Sequence, residues 1–232
     1  MCTSYEANPN DARWDVFSLF PRPDFEYKRE IYKDYFAPIF RRGGEAFETV
    51  PASFGIVPRR HIKRGARVFD TMNARSETIE EKRSFSGAWK SLQLCLIPCQ
   101  TFFEPNYEND SEKSVRWKIG MANGEPLAIA GLWRQWKEAD GSLSLAFTML
   151  TVNSDEHPLM KRFHKPEAEK RSVVIVPTSG YGEWLSCKTT DEARSFLQLY
   201  PDEAMHAEPY PLPPRKTKAA SEGEGEQQSL LE

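Results

Sequence analysis

The sequence predicts an α+β protein: mainly antiparallel β-structure, with a barrel-like sheet core and peripheral helices. Three observations lead there. Apolar runs of strand length recur through the middle of the chain. Asn-Gly and Asp-Gly pairs stand between successive runs, where tight hairpin turns need residues that tolerate positive φ. Segments with helix-capping signals are few and short.

In chain order, DYFAPIFRR reads as a short helical turn. NARSETIEEKRSF carries Thr78 and Glu81 at capping-box spacing, so a helix is expected to start there. SLQLCLIPCQTFFE is a β-rich run of the kind buried in a sheet core. WKIGMANGEPLAIAGLWRQW sets Asn123 and Gly124 between two apolar runs, and WKEADGSLSLAFTMLTV repeats the device with Asp140 and Gly141. Three antiparallel strands in a meander follow from that spacing. SDEHPLMKRFHK reads as a short helical turn, RSVVIVP as another buried strand, and CKTTDEARSFLQLY as a helix capped by Thr189 with Glu192.

At 232 residues the chain suits one large domain with a substantial core, assigned to residues 1–207. Residues 208–232, PYPLPPRKTKAASEGEGEQQSLLE after Glu208, are rich in Pro, Gly, Ser and Glu and are expected to form a disordered C-terminal tail. No apolar run reaches bilayer-crossing length, and the first residues lack the layout of a signal peptide, so a soluble, cytoplasmic monomer without membrane partners is expected. The net charge of −3 argues against a generic electrostatic binder of nucleic acid. Its distribution is more informative. PRRHIKRGAR gathers Arg59, Arg60, Lys63, Arg64 and Arg67 with no acid among them, and KRFHKPEAEKR adds a second basic cluster; both are candidates for a phosphate-binding face, although a solvated loop explains most such runs.

The chemistry concentrates at the start of the chain. Cys2 follows the initiator Met, which is normally trimmed before a small side chain, so the mature protein is expected to begin with a cysteine carrying both a free α-amine and a thiol. An α-amine has a reference pKa of about 7.7 to 8, far below that of lysine, and is a ready nucleophile for an aldehyde. The neighbouring thiol can then add to the resulting imine and close a thiazolidine ring. The same terminus also suits an N-terminal-nucleophile peptidase or amidase, in which the amine serves as base for its own side chain. Cys95 and Cys99, in an apolar run, read as buried inert thiols, and none of the four cysteines stands at metal-ligand spacing, so neither metal nor organic cofactor is expected.

Other polar residues stand in tightly specified contexts. Asn73, Arg75 and Glu77 precede the expected helix, where an amide and a guanidinium can face a cleft and a phosphate; an Asn there is more often a plain turn residue. Glu104 ends a strand beside two Phe and is a candidate general acid or base. His164, between an apolar pair and a basic run, suits a proton shuttle, with His157 and His61 equally available on paper and His206 bordering the tail.

Together these segments resemble the SOS response-associated peptidase (SRAP) domain family, whose members cap abasic sites in single-stranded DNA. The family's motifs appear in order as MC, SFGIVP, NARSET, CLIPCQTFFE and FHKPEAEKRSVVIVP, across most of the chain outside the tail. The resemblance implies that Cys2 is the covalent nucleophile and that Asn73 positions it and the sugar aldehyde. It further implies that Glu104 handles the proton of the α-amine, that His164 assists ring opening and imine formation, and that Arg75 holds a DNA phosphate. Phe54 would stack on a base, with Arg59 and Arg60 on phosphates. The product would be a thiazolidine crosslink shielding the lesion from strand cleavage, made on the nucleoid after DNA damage, with peptidase- or lyase-type activity as an associated expectation. A single-stranded nucleic-acid binding module with an incidental Cys2 is the reading from outside enzymology. The chain departs from the family pattern at Thr3 and Ser4, where Gly-Arg is usual, at Phe54 in place of Trp, at Pro105 in place of an aromatic, and after His164, where Lys165 and Pro166 follow.

Overall fold

A computed structural model describes residues 2–8, 13–66, 69–110 and 112–213. Its strands are β1 (Ser4–Ala7), β2 (Glu30–Tyr32), β3 (Phe36–Gly43), β4 (Ala46–Phe54), β5 (Asn73–Arg75), β6 (Leu94–Asn106), β7 (Val115–Met121), β8 (Leu127–Lys137), β9 (Leu143–Asn153), β10 (Arg171–Val173), β11 (Ile175–Val176) and β12 (Met205–Pro209). The α-helices described are short: α1 (Ser86–Lys90), α2 (Tyr181–Ser186) and α3 (Thr190–Ser195).

Five strands close on themselves. β3 pairs antiparallel with β4, β4 runs parallel to β9 at Ser53 and Phe54, β9 pairs with β8, and β6 pairs with both β8 and β3. Side chains alternate across the wall of this barrel, as the two-residue period of a strand requires. Ile39, Phe54, Cys95, Ile97, Ile129, Phe147 and Met149 join one core cluster. Phe40, Leu94, Leu96, Ala128, Ala130, Leu132 and Leu150 join the other, beneath α1 and α2 with Trp89 and Trp184. Both faces of β6 and β8 are therefore covered, which explains why LCLIPC and LAIAGLW are apolar without interruption. Gly131 lies where a Cβ would stand 2.4 Å from Ile97 Cδ1 and 2.6 Å from the Thr148 carbonyl oxygen, so only hydrogen fits.

The expected fold class holds, and several elements differ from expectation. The meander does not form as drawn. β8 and β9 are a hairpin, but β7 and β8 do not pair with each other: Val115 to Ile119 lie opposite Asn106 to Phe102, and Leu127 to Leu132 lie opposite Cys99 to Leu94. The thirteen-residue β6 is long enough to seat both on one edge, and the Asn123-Gly124 turn is an excursion between them. DYFAPIFRR is not a helical turn. It supplies β3, with Pro38 opposite Pro51 in its pairing with β4, and a run apolar on both faces disguised the strand. At Thr78 a single turn closes, with the Glu81 and Lys82 amides donating to the Thr78 carbonyl, and α1 begins only at Ser86. The cap of α3 forms as expected: Thr189 Oγ1 accepts from the Glu192 amide at 3.1 Å, and Glu192 Oε2 accepts from the Lys188 amide at 2.6 Å.

The folded body also runs past residue 207. Glu208 and Pro209 belong to β12, which pairs with β7 over Met205–Pro209, and the Tyr210 amide donates to the Arg116 carbonyl at 2.7 Å. β7 would otherwise leave a row of unpaired backbone groups, which β12 satisfies. The remainder of the expected tail, residues 214–232, lies outside the described residues.

Candidate active site

β1 carries Cys2 to the barrel. Tyr5 and Glu6 pair with Phe102 and Thr101 of β6, which draws the residues before them under the end of that strand. Cys2 is fully buried and its thiol donates to the Ser4 carbonyl at 3.2 Å. Burial, reinforced by the nearby Glu104 carboxylate, pushes the thiol up to about 12. At neutral pH it holds its proton.

Of the residues expected around Cys2, Asn73 bonds to it directly, and Glu104, near enough to act on its thiol, is paired in turn with His164. Asn73, at the start of β5, donates from Nδ2 to the Cys2 carbonyl at 2.7 Å, and its Oδ1 is buried without a hydrogen-bond partner among the described residues. Asn73 is positioned by parallel pairing with Met149 of β9. Glu104 sits in β6 and is 2% exposed; its Oε2 lies 2.8 Å from His164 Nε2. His164 is held by its own backbone, whose amide donates to the Pro105 carbonyl at 2.8 Å, and its φ of 67° is a left-handed conformation unusual for a residue with a side chain. Strain of this kind persists where the surroundings impose it and gathers at functional sites. The other ring nitrogen, Nδ1, is buried with no partner among the described residues.

His157 makes its bonds away from Glu104. Its Nδ1 accepts from the Leu159 and Met160 amides at 3.2 and 3.0 Å, at the start of the 3-10 turn Met160–Arg162, and Nε2 lies 2.8 Å from the Tyr200 carbonyl oxygen, so both nitrogens are engaged. His61 stacks on Trp136 and contacts Glu138, and His206 lies on β12.

The expected DNA contacts fare less evenly. Phe54 is fully buried, stacked on Phe147 at 5.1 Å and edge-on to Tyr5 at 5.6 Å, so it offers no face to a base; the two-residue period turns it into the barrel. Arg75 is about half exposed but its Nη1 lies 2.7 Å from Glu169 Oε2. Glu169 in turn meets Arg171 Nη1 at 2.6 Å, and Arg171, itself buried, is also paired with Glu77 at 2.8 Å. The two guanidiniums and two carboxylates leave this cluster without net charge. Arg59 is 3.7 Å from Asp34, and Arg60 is 2.9 Å from Glu138, whose carboxyl is held at about 2 by Ser144 first and then by Arg60 and His61. Arg59 and Arg60 thus find their acids elsewhere in the chain, and Arg67 of the same run lies outside the described residues. Exposed rings lie beside it: Phe36 under the Arg60 guanidinium, and Tyr32 against Tyr35, with Lys28 over the latter.

Sequence reading missed Arg116. On β7 opposite Pro105, it lies with its guanidinium 3.4 Å from the centroid of Phe103, in contact with Glu30, and 3.4 Å from Ser4 Oγ. Nothing local in SVRWK marks it. Cys95 and Cys99 are buried with their thiols pushed well up by burial, as an inert role requires. No group of three or more His, Cys, Asp or Glu among the described residues is placed to hold a metal ion, and no helix among them is long and apolar enough to cross a membrane.

Fold and site together define a small-barrel protein built around a buried cysteine at the second position, with an amide on its carbonyl and an acid–imidazole pair beside it. The chain belongs to the SOS response associated peptidase (SRAP) family, whose sequence model matches residues 1–212. Two curated relatives are the abasic site processing proteins YobE and YoqW of Bacillus subtilis (strain 168). YobE is 31% identical over 142 residues, 61% of each chain, and YoqW 31% identical over 141 residues, 60% of this chain and 59% of the other. The chain therefore spans about three fifths of the length of the curated relatives it matches. Among solved structures, a protein from Bordetella bronchiseptica superposes with a TM-score of 0.80 at 32% identity, covering 91% of this chain and all of the other. One from Bacteroides thetaiotaomicron shares the fold with a TM-score of 0.70 at 17% identity, over 89% and 90% of the two chains.

Proposed function

We propose that this chain processes abasic sites by capturing them in single-stranded DNA as a covalent adduct on Cys2. The observation that carries the reading is the convergence on Cys2 of Asn73, at 2.7 Å from its carbonyl, and of the buried Glu104–His164 pair. The names of the curated relatives, abasic site processing proteins, support the coarser part of the reading, that the substrate is an abasic site.

Removal of Met1 frees the α-amine of Cys2. The opened deoxyribose of an abasic site carries an aldehyde at C1′, and the amine attacks that carbon. The carbinolamine loses one water to give an imine. The thiol then adds: sulfur bonds to C1′, its proton passes to the imine nitrogen, and a five-membered thiazolidine closes. The sum is protein plus DNA minus one water. Because the thiol is held protonated by burial, the amine is the first nucleophile and sulfur follows. In this reading Glu104 takes the proton from the ammonium, and His164, paired with it, assists ring opening and returns a proton to the departing oxygen. The protonated thiol also disfavours direct thiolate attack on an amide, the step a peptidase would use. The strand itself would cross Phe36, Tyr35 and Tyr32 with Arg60 nearby, in place of Phe54.

The test is intact mass and a denaturing gel after mixing trimmed protein with a single-stranded oligonucleotide bearing one abasic site. A heat-stable adduct of the stated mass, absent with intact DNA and with Cys2→Ala, is expected. An undiminished adduct in Cys2→Ala overturns the reading.

A further inference from the structure

We infer that Arg116 is a phosphate-binding residue of this site, presenting a guanidinium N–H to a phosphodiester oxygen of the strand next to the captured lesion. The inference rests on the reading of Cys2 as the point of capture. Its starting point is a buried cationic donor left without an acceptor: Arg116 Nη1 has no hydrogen-bond partner among the described residues. A guanidinium brings five donors, and an unmatched buried one is costly enough that native structures seldom keep it without a use.

The surroundings say what that use is. Arg116 Nη2 is engaged, by Glu30 and more loosely by Ser4 Oγ at 3.4 Å. The plane of the group is fixed by rings, with Phe103 at 3.4 Å and Tyr210 at 5.7 Å from Cζ to centroid. It is therefore held in orientation from two sides, with Nη1 left unpaired. A rigid planar donor of this kind matches the oxygens of a phosphate better than a mobile lysine does.

Its place in the fold sets it near the site. Ser4, which it touches, is the residue whose carbonyl accepts the Cys2 thiol, and Arg116 pairs across the sheet with Pro105, which follows Glu104 and whose carbonyl accepts the His164 amide. Three other arginines expected to meet phosphate each have an acid partner: Arg59 with Asp34, Arg60 with Glu138, Arg75 with Glu169. Arg116 also has an acid, but keeps a nitrogen that the acid does not reach.

The experiment uses the full chain with Met1 removal verified by mass, and an intact single-stranded oligonucleotide as probe. Binding is measured across a salt series for wild type, Arg116→Gln and Glu30→Gln, and the Cys2 adduct rate is measured at limiting and saturating abasic DNA. Arg116→Gln is expected to weaken binding about tenfold and to lower the log–log salt slope by roughly 0.7, the release expected for one phosphate on a single strand. Its adduct rate should fall at limiting DNA and recover at saturating DNA. Glu30→Gln, which removes the one acid on Arg116 without touching the guanidinium, is expected to tighten binding and steepen the slope; it also serves should Arg116→Gln fail to fold. Unchanged slopes in both variants overturn the assignment and leave Arg116 a packing residue. The two readings fail separately: no adduct from wild type, with an Arg116-dependent slope intact, removes the covalent reading alone, whereas a normal adduct with unmoved slopes removes only this one.

Discussion

His164 Nε2 lies 2.8 Å from Glu104 Oε2, and both side chains are buried, so their contact is made out of reach of bulk water. A buried pair of this kind acts as a unit. Glu104→Gln keeps the size and removes the charge, and is expected to slow adduct formation by about a hundredfold. Adding His164→Gln should cost little more than the worse single change, because partners in one hydrogen-bonded network are not additive. A gel time course with the two single variants and the double measures this; fully additive losses would mean that the residues work apart.

Buried thiols give the fold a specific pH dependence. Cys95 and Cys99 are pushed well above the ordinary value of 9.0 by burial, with Cys2 adding to the shift at Cys99. Above that value the unfolded chain loses the proton and the folded chain keeps it. The unfolded state then binds fewer protons, so stability falls as pH rises, by about 1.4 kcal/mol per pH unit for each such thiol. Urea unfolding between pH 8 and 10.5 should show the decline, and Cys99→Ala should make it shallower by one thiol's share. An identical slope in the variant would rule this account out.

Glu169 is placed to compete with phosphate for Arg75. Its Oε2 is 2.7 Å from Arg75 while its Oε1 is held by Arg171, and although burial raises its carboxyl, the bonds to Arg171 and Asn153 outweigh it and hold the group below its usual range. Glu169→Gln should therefore strengthen binding of intact single-stranded DNA several-fold at low salt, and the gain should vanish when Arg75→Ala is added. Weaker binding in Glu169→Gln would instead assign Glu169 to orienting Arg75.

The barrel wall has one position where a methyl group has no room. Gly131→Ala would bring Cβ to 2.4 Å from Ile97 Cδ1 and 2.6 Å from the Thr148 carbonyl oxygen, and the second of these is backbone. A loss of about 2 to 3 kcal/mol is expected from the overpacking. Thermal unfolding of the variant tests it, and an unchanged midpoint would show that β8 and β9 can part locally.

Much of the site was legible before any fold was drawn. Cys2 stood out by its position and chemistry, and Asn73, Glu104 and His164 by polar side chains set in apolar or turn contexts and by the order of the motifs around them. Strand-length apolar runs likewise announced the barrel, since local composition and period are properties of adjacent residues.

What the chain order could not settle was partnership across distance. Phe54 reads as an available ring until barrel closure turns it inward against Phe147. Arg60 and Arg171 read as free cations until the fold supplies Glu138 and Glu77, at separations of 78 and 94 residues. The same holds for Arg116 and Ser4, 112 residues apart. By itself the sequence determined that the segments of β6, β8 and β9 become strands and which side chains are candidates for the chemistry, because both follow from local composition, period and reactivity. Only the tertiary structure decided which face each side chain takes and which charge it meets, because these depend on register and closure between segments that the chain brings together only when it folds.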